Sequence, residues 1–294
     1  MWHTQVAVLG LLGSLATALP QNSPRSQAAR VPTVFIAGDS TTAPLGSGTG
    51  TQGWGEYLKY SLGSNAKVNN SAVAGRSTRS YTREGRFAGI AAAMQPGDWV
   101  IIEFGINDGG SGVPVNGSTS TTGDKGRAVC PGMGNEICTV VYGGVVEQVK
   151  TFPTYVKAAA RTFLSRGAAG IIIAEQLPRD TWQTGTFKYT PTVFSWYDWT
   201  TVSQLGGPAA NVYYVQHGSY AAQAQKLLGY ATVEANYPND HTHTSPFLAD
   251  VHSKAFAMGL KCGTSPLKNL VVNATTQIQE TVGPCIPHNS TLPV

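Results

Sequence analysis

Charge is scarce in this 294-residue chain: Asp, Glu, Lys and Arg make up 12% of it, about half the usual share of a globular domain. The net charge of +4 is too modest to imply a nucleic-acid partner, and at most mildly favours an acidic polymer as substrate. After the N-terminal segment no stretch stays apolar for the length a bilayer-spanning helix needs, so no membrane anchor is expected. The four cysteines, Cys130, Cys138, Cys262 and Cys285, form no CxxC pair, which argues against a zinc or thioredoxin-type site. GxSxG, the nucleophile elbow of another hydrolase class, is missing, and so is the GxxxxGK of a nucleotide site.

What is present points outward from the cell. Residues 6–15 form an apolar run of signal-peptide length, and Ala16-Thr17-Ala18 is a small-x-small cleavage site. The expected organisation is a signal peptide over 1–18, a flexible leader over 19–31, a single domain over 32–285 and a tail over 286–294. In a secreted chain four cysteines suggest two disulfides, for which three pairings exist. Cys130–Cys138 with Cys262–Cys285 closes the shortest loops and is the pairing expected. The hydrophobic share of 41% suffices to fill a core.

Five apolar runs, at residues 33–37, 66–73, 99–104, 170–175 and 212–216, read as strands buried on both faces. Helical patterns separate them, at 53–62, 87–94, 145–166, 192–204 and 220–228. The last helix begins at Ser245-Pro246, a serine cap followed by proline in the first turn. Pro153 falls inside the 145–166 pattern and should kink or restart it. Alternating strands and helices imply a three-layer α/β/α domain of flavodoxin-like order around a five-stranded parallel sheet. The segment 108–144 reads as a long, ordered, functional loop.

The chemistry-bearing residues follow the strands. Ser40 comes just after the first, in VFIAGDSTTAPLG; Gly75 after the second, in SAVAGRS; Asn107 after the third, in EFGIND; Asp240 and His243 after the fifth, in NDHTHTS. In an open parallel sheet the loops at the carboxyl ends share one edge. A serine hydroxyl needs an adjacent base to act as a nucleophile. His243 is placed to be that base and Asp240 to orient it. The N–H groups of Ser40 and Gly75 and the amide of Asn107 are candidate oxyanion donors. Singly, each is more often a cap or turn residue; in this order they form a set.

That set resembles the SGNH or GDSL hydrolases, whose four blocks stand here as GDST, AVAGRS, GIND and DHTH. The segments GWGEYL, AVAGRSTRSYTREGRF, EFGINDGG, TWQTGTF and DHTHTSP are similar to one branch, the rhamnogalacturonan acetylesterases. The likeness spans about residues 33 to 285. It implies a secreted α/β hydrolase, without metal or other cofactor, that cleaves acetyl esters from the rhamnogalacturonan backbone of pectin. The matching motifs assign Ser40 as nucleophile, Gly75 and Asn107 to the oxyanion hole with Ser40, and Asp240 and His243 to the triad. Two departures stand out. Ile106 precedes Asn107 where close relatives often carry histidine. Gln216–Tyr220 reads QHGSY where they tend to have aspartate and tryptophan, so no role passes to His217.

Other residues carry weaker expectations. Arg76 and Arg79 are candidates for substrate carboxylates, against the plainer reading of ion pairs with nearby glutamates. Trp182 is a candidate for stacking on a sugar, whereas Trp54 reads as core. The pair His241 and His243 suggests a metal site only superficially, since no third ligand lies at useful spacing. Asn116, Asn273 and Asn289 begin N-x-S/T sequons; a fourth, Asn69, falls in an expected strand and is set aside. The expected partner is an acetylated pectic polysaccharide, not nucleic acid or membrane, and the expected state is a monomer. The rival readings are an acetylxylan esterase, a lipase or thioesterase of the same fold, and an inactive carbohydrate-binding protein.

Overall fold

Among the described residues seven segments form strands: β1 (Thr33–Gly38), β2 (Lys67–Asn70), β3 (Trp99–Glu103), β4 (Ile137–Tyr142), β5 (Val145–Lys150), β6 (Gly170–Ala174) and β7 (Val212–Val215). The structure is a computed structural model that describes residues 1–2, 30–109, 112–114, 116–117 and 124–287. Nearly all of the expected signal peptide and leader, most of the tail and Asn289 lie outside the described residues. Met1–Arg30 and Val31–Val294 are separate units, and all seven strands belong to the second.

The helical segments are α1 (Leu58–Leu62), α2 (Thr78–Arg83), α3 (Arg86–Ala93), α4 (Ile106–Gly109) and α5 (Phe152–Ser165). After them come α6 (Val193–Gln204), α7 (His217–Leu228), α8 (Tyr230–Glu234), α9 (Pro246–Cys262) and α10 (Thr275–Val282). None of them is long and apolar enough to cross a membrane.

The main sheet runs β2-β1-β3-β6-β7, with every neighbouring pair parallel. This is the expected flavodoxin-like α/β/α fold. Every residue of β3 and of β6 is buried, as a strand covered on both faces requires. Successive side chains point to opposite faces. Val34, Ile36, Ile101 and Ile172 therefore pack under α1, α7 and α9, against Leu58, Tyr220, Leu248 and Phe256. Phe35, Val100, Ile102 and Ile173 pack under α3, α5 and α6, against Phe87, Val156, Phe163 and Phe194.

The expected helix at 145–166 begins as strand. Residues 145–150 form β5, antiparallel to β4. Between them Gly143 and Gly144 have φ of +58° and +79°, the backbone a two-residue hairpin needs and glycine supplies without strain. Helix α5 starts only at Phe152, after Thr151 accepts a hydrogen bond from the N–H of Thr154. Pro153 thus sits in the first turn, where a missing N–H costs nothing, and it does not kink the helix. The expected helix at 53–62 is also divided, into a single 3-10 turn (Trp54–Glu56) and α1. Disulfides join Cys130 to Cys138 and Cys262 to Cys285. The first ties the segment after α4 to β4.

Candidate active site

Strand β1 ends in a sharp turn, with the N–H groups of Thr42 and Ala43 both donating to Asp39 O, at 3.2 and 2.9 Å. Gly38 permits it, because a Cβ there would lie 2.7 Å from Thr42 Oγ1. The turn presents Ser40, whose Oγ is 2.8 Å from His243 Nε2. His243 Nδ1 is 2.7 Å from Asp240 Oδ2. A carboxylate only accepts, so Nδ1 carries the proton and Nε2 offers its lone pair to the serine hydroxyl.

Asp240 also organises its own loop: Oδ1 accepts from the N–H groups of Thr242 and His243, at 2.7 and 2.8 Å. Partial burial pushes its carboxyl up, but the His243 side chain and these N–H donors outweigh that and hold it below the usual range. Its side chain is 46% exposed, so water competes for this carboxylate. The loop is clamped from two sides. Gln52 N–H donates to Thr244 O at 2.9 Å, and Asp180 N–H donates to His241 O at 2.9 Å.

Gly75 and Asn107 arrive at the same edge. The N–H of Val73 donates to Gly38 O at 3.0 Å, which ties the loop after β2 to the end of β1. Gly75 has φ +75°, a left-handed conformation that favours glycine. Asn107 Nδ2 donates to Arg76 O at 3.0 Å, leaving its second N–H available. Neither Ser40 N–H nor Gly75 N–H donates to a backbone acceptor among the described residues. The N–H groups of Ser40 and Gly75 and the second N–H of Asn107 are therefore candidate donors for a tetrahedral oxyanion. Two buried carboxyls lie next to this machinery. Burial pushes Asp39 up to about 6 and Asp108 up to about 7, even though Thr78 N and Oγ1 donate to Asp108 Oδ1 at 2.9 and 2.5 Å.

The arginine expectations need correcting. The Arg79 side chain has no solvent exposure; it donates to Asp124 Oδ2 at 2.8 Å and Glu147 Oε2 at 2.6 Å. It cannot touch a substrate. Arg76 is engaged by Glu84 at 3.0 Å. The Trp182 ring packs against Phe187 and Tyr230, and its Nε1 donates to Gln225 O at 2.9 Å, so it braces its loop. Trp54 is core, with Nε1 2.8 Å from Glu103 Oε1.

Two cations that sequence reasoning passed over line pockets at the carboxyl edge of the sheet. Arg179 and Lys188 line one pocket with Gln176, Asp180 and Tyr189. Arg179 also walls an adjoining pocket with Gly105, Ile106 and Phe194, next to Asn107. Both side chains are exposed. The available signal was position: Arg179 follows β6, at the same carboxyl edge as the other loops.

The histidines separate by partner. His217 is buried, with Nδ1 2.6 Å from Glu103 Oε2 and Nε2 2.8 Å from His252 O. His241 Nδ1 is 3.1 Å from Asp180 Oδ2, and Glu234 gathers there too, with ligand atoms within 4.8 Å of one another. The fold thus brings His241 two carboxyl neighbours that spacing did not show. Hydrogen bonding to Asp180 raises the Glu234 carboxyl above its usual range. Of the sequons, Asn116 is exposed and accepts from Thr139 N–H at 2.7 Å, while Asn273 is half-buried. Asn69 is exposed on edge strand β2, so its place in a strand does not hide it.

Known proteins resemble this chain in sequence and in fold. The sequence model of the GDSL-like lipase/acylhydrolase family matches residues 36–202. A rhamnogalacturonan acetylesterase of Emericella nidulans is 44% identical over 239 residues, covering 81% of this chain and 89% of that one. A probable rhamnogalacturonan acetylesterase of Bacillus subtilis, YesY, is 36% identical over 81 residues, or 28% of this chain and 37% of that one. Among solved structures, protein YXIM_BACsu of Bacillus subtilis superposes with a TM-score of 0.58 at 18% identity, over 79% of this chain and 56% of that one; this likeness is one of fold.

Proposed function

This chain belongs to the GDSL-like lipase/acylhydrolase family and is a carboxylic ester hydrolase; from that premise we propose that it is a secreted acetylesterase acting on the rhamnogalacturonan backbone of pectin. The observation that carries the mechanism is the unbroken chain from Asp240 through His243 to Ser40, at 2.7 and 2.8 Å, beside the free N–H of Asn107. The 44% identity to a rhamnogalacturonan acetylesterase supports the substrate. Two disulfides and the Ala-x-Ala motif near the N-terminus support secretion.

Ser40 Oγ attacks the acetyl carbonyl carbon as its proton passes to His243 Nε2. Asp240 stabilises the resulting imidazolium. The oxyanion is held by the N–H groups of Ser40 and Gly75 and by Asn107 Nδ2, each such donor worth about 3–4 kcal/mol of barrier. The intermediate collapses, the C–O bond to the sugar breaks, and the leaving sugar oxygen takes the proton from His243. Water, deprotonated by His243, then attacks the acetyl-enzyme; acetate leaves and Ser40 regains its proton. Arg179, which lines a pocket with Ile106 beside Asn107, and Lys188, which shares the adjoining pocket with it, supply positive charge for an acidic polysaccharide.

Acetate release measured side by side on acetylated rhamnogalacturonan, homogalacturonan and xylan tests the substrate. The rhamnogalacturonan should be fastest; a faster reaction on xylan would replace the pectic reading. Ser40→Ala should release no acetate above background, and retention of the wild-type rate would sink the mechanism.

A further inference from the structure

Asn107 can serve an oxyanion only if its amide faces the right way, and an amide can flip. Arg76 O can only accept, so the group 3.0 Å away must be Nδ2. The opposite end of the amide has a partner of the other kind: Arg127 Nη1, which can only donate, lies 3.0 Å from Asn107 Oδ1. The same Nη1 lies 3.3 Å from Gly75 O. One guanidinium nitrogen therefore touches both loops that flank Ser40.

Arg127 reaches this place on a rigid turn. Its N–H donates to Asp124 O at 2.9 Å, and Asp124 Oδ1 accepts from Gly126 N–H at 2.8 Å. Buried Arg79 grips the turn from beneath, through Asp124 Oδ2 at 2.8 Å and Ala128 O at 2.9 Å. Val129 N–H donates to Asp108 O at 3.1 Å, and Cys130 closes the segment with its disulfide. The turn is held by backbone, buried charge and a covalent bond, and it presents Arg127 to the oxyanion loops.

We propose that Arg127 is a positioning residue that fixes the amide of Asn107 in the orientation the oxyanion hole requires. The proposal rests on the esterase reading of the site. Its weight falls on the chemical step, because a donor displaced by about 1 Å can cost on the order of a hundredfold in rate. Substrate binding, made elsewhere in the cleft, changes little.

The test is a double-mutant cycle on the full chain, with acetate release as readout and thermal unfolding alongside. Arg127→Ala should lower kcat by about 10- to 100-fold, with KM within about twofold. Arg127→Lys, which keeps a donor but loses the planar fork, should recover part of the loss. Arg127→Ala added to Asn107→Ala should cost almost nothing further, since the amide it orients is gone. Multiplying losses in the double variant, or a wild-type kcat in Arg127→Ala, overturns the proposal. Should Arg127→Ala fail to fold, Arg127→Lys decides: full activity overturns the proposal, and reduced kcat at unchanged KM and melting temperature supports it. An undiminished Asn107→Ala would instead remove the oxyanion reading itself, and this proposal with it.

Discussion

Arg79 and Asp124 meet at 2.8 Å with the arginine side chain shut off from solvent. Glu147 completes the pair from the other guanidinium nitrogen, at 2.6 Å. Burial opposes the Arg79 charge, yet the two carboxylates raise its pKa further above the ordinary value. Arg79→Ala should therefore act on the fold, since truncating one partner of a buried pair costs about 3–5 kcal/mol. Urea unfolding checks the loss. The ratio of activity on acidic over neutral acetylated substrates should stay as in the wild type; a selective loss on the acidic one would return Arg79 to the substrate site.

Arg179 and Lys188 should move that ratio. Exposed charges of this kind contribute about 0.2–1 kcal/mol each, so each replacement by alanine should raise KM on an acidic polymer by up to about fivefold. Their effect should fade as ionic strength rises. Identical losses on a neutral acetyl ester would show that the cleft does not read charge through them.

Asp240 is more open to water than a fully buried acid. Asp240→Asn removes the partner that holds the Nδ1–H tautomer of His243, and kcat should fall by about a hundred- to ten-thousand-fold. Because water can still reach His243, the lower part of that range is expected. A wild-type kcat in the asparagine variant would take Asp240 out of the mechanism.

Asp108 sets a dependence of stability on pH. Burial lifts its folded pKa from 3.8 to about 7, so the group binds its proton more tightly when folded. Its contribution is fully present below the unfolded value and is lost as pH rises to about 7, at about 1.4 kcal/mol per pH unit in between. Asp108→Asn, a neutral mimic of the protonated form, should flatten that slope between about pH 4 and 7. Unfolding free energies measured at intervals across this window check it; parallel curves for the two proteins would refute it.

Much of the fold is legible in the sequence because buried parallel strands are written in short uninterrupted apolar runs such as VFIA and GIIIA. The hairpin of β4 and β5 is legible in principle, since Gly-Gly lies between two valine-rich stretches. The apolar spacing of Val145, Val149 and Phe152 fits a helix as well, and only pairing with β4 decides the matter. The helical pattern at 220–228 begins three residues after α7 does.

The sequence by itself determined that Ser40, Gly75, Asn107 and the Asp240–His243 pair share one edge. Ser40, Gly75 and Asn107 each follow a strand, and parallel strands deliver their carboxyl ends to the same side; the Asp240–His243 pair comes after α7 and α8 and is assigned there by its motif. Tertiary structure decided which charges serve that edge. Arg76, Arg79, Arg127 and Arg179 are alike as residue types, and no local pattern separates them. What lies over each long side chain does: carboxylates bury Arg79, Glu84 engages Arg76, the cleft leaves Arg179 open, and the turn at Asp124 brings Arg127 against Asn107. A guanidinium takes its role from the acceptors that distant segments place around it, and those segments meet only when the chain has folded.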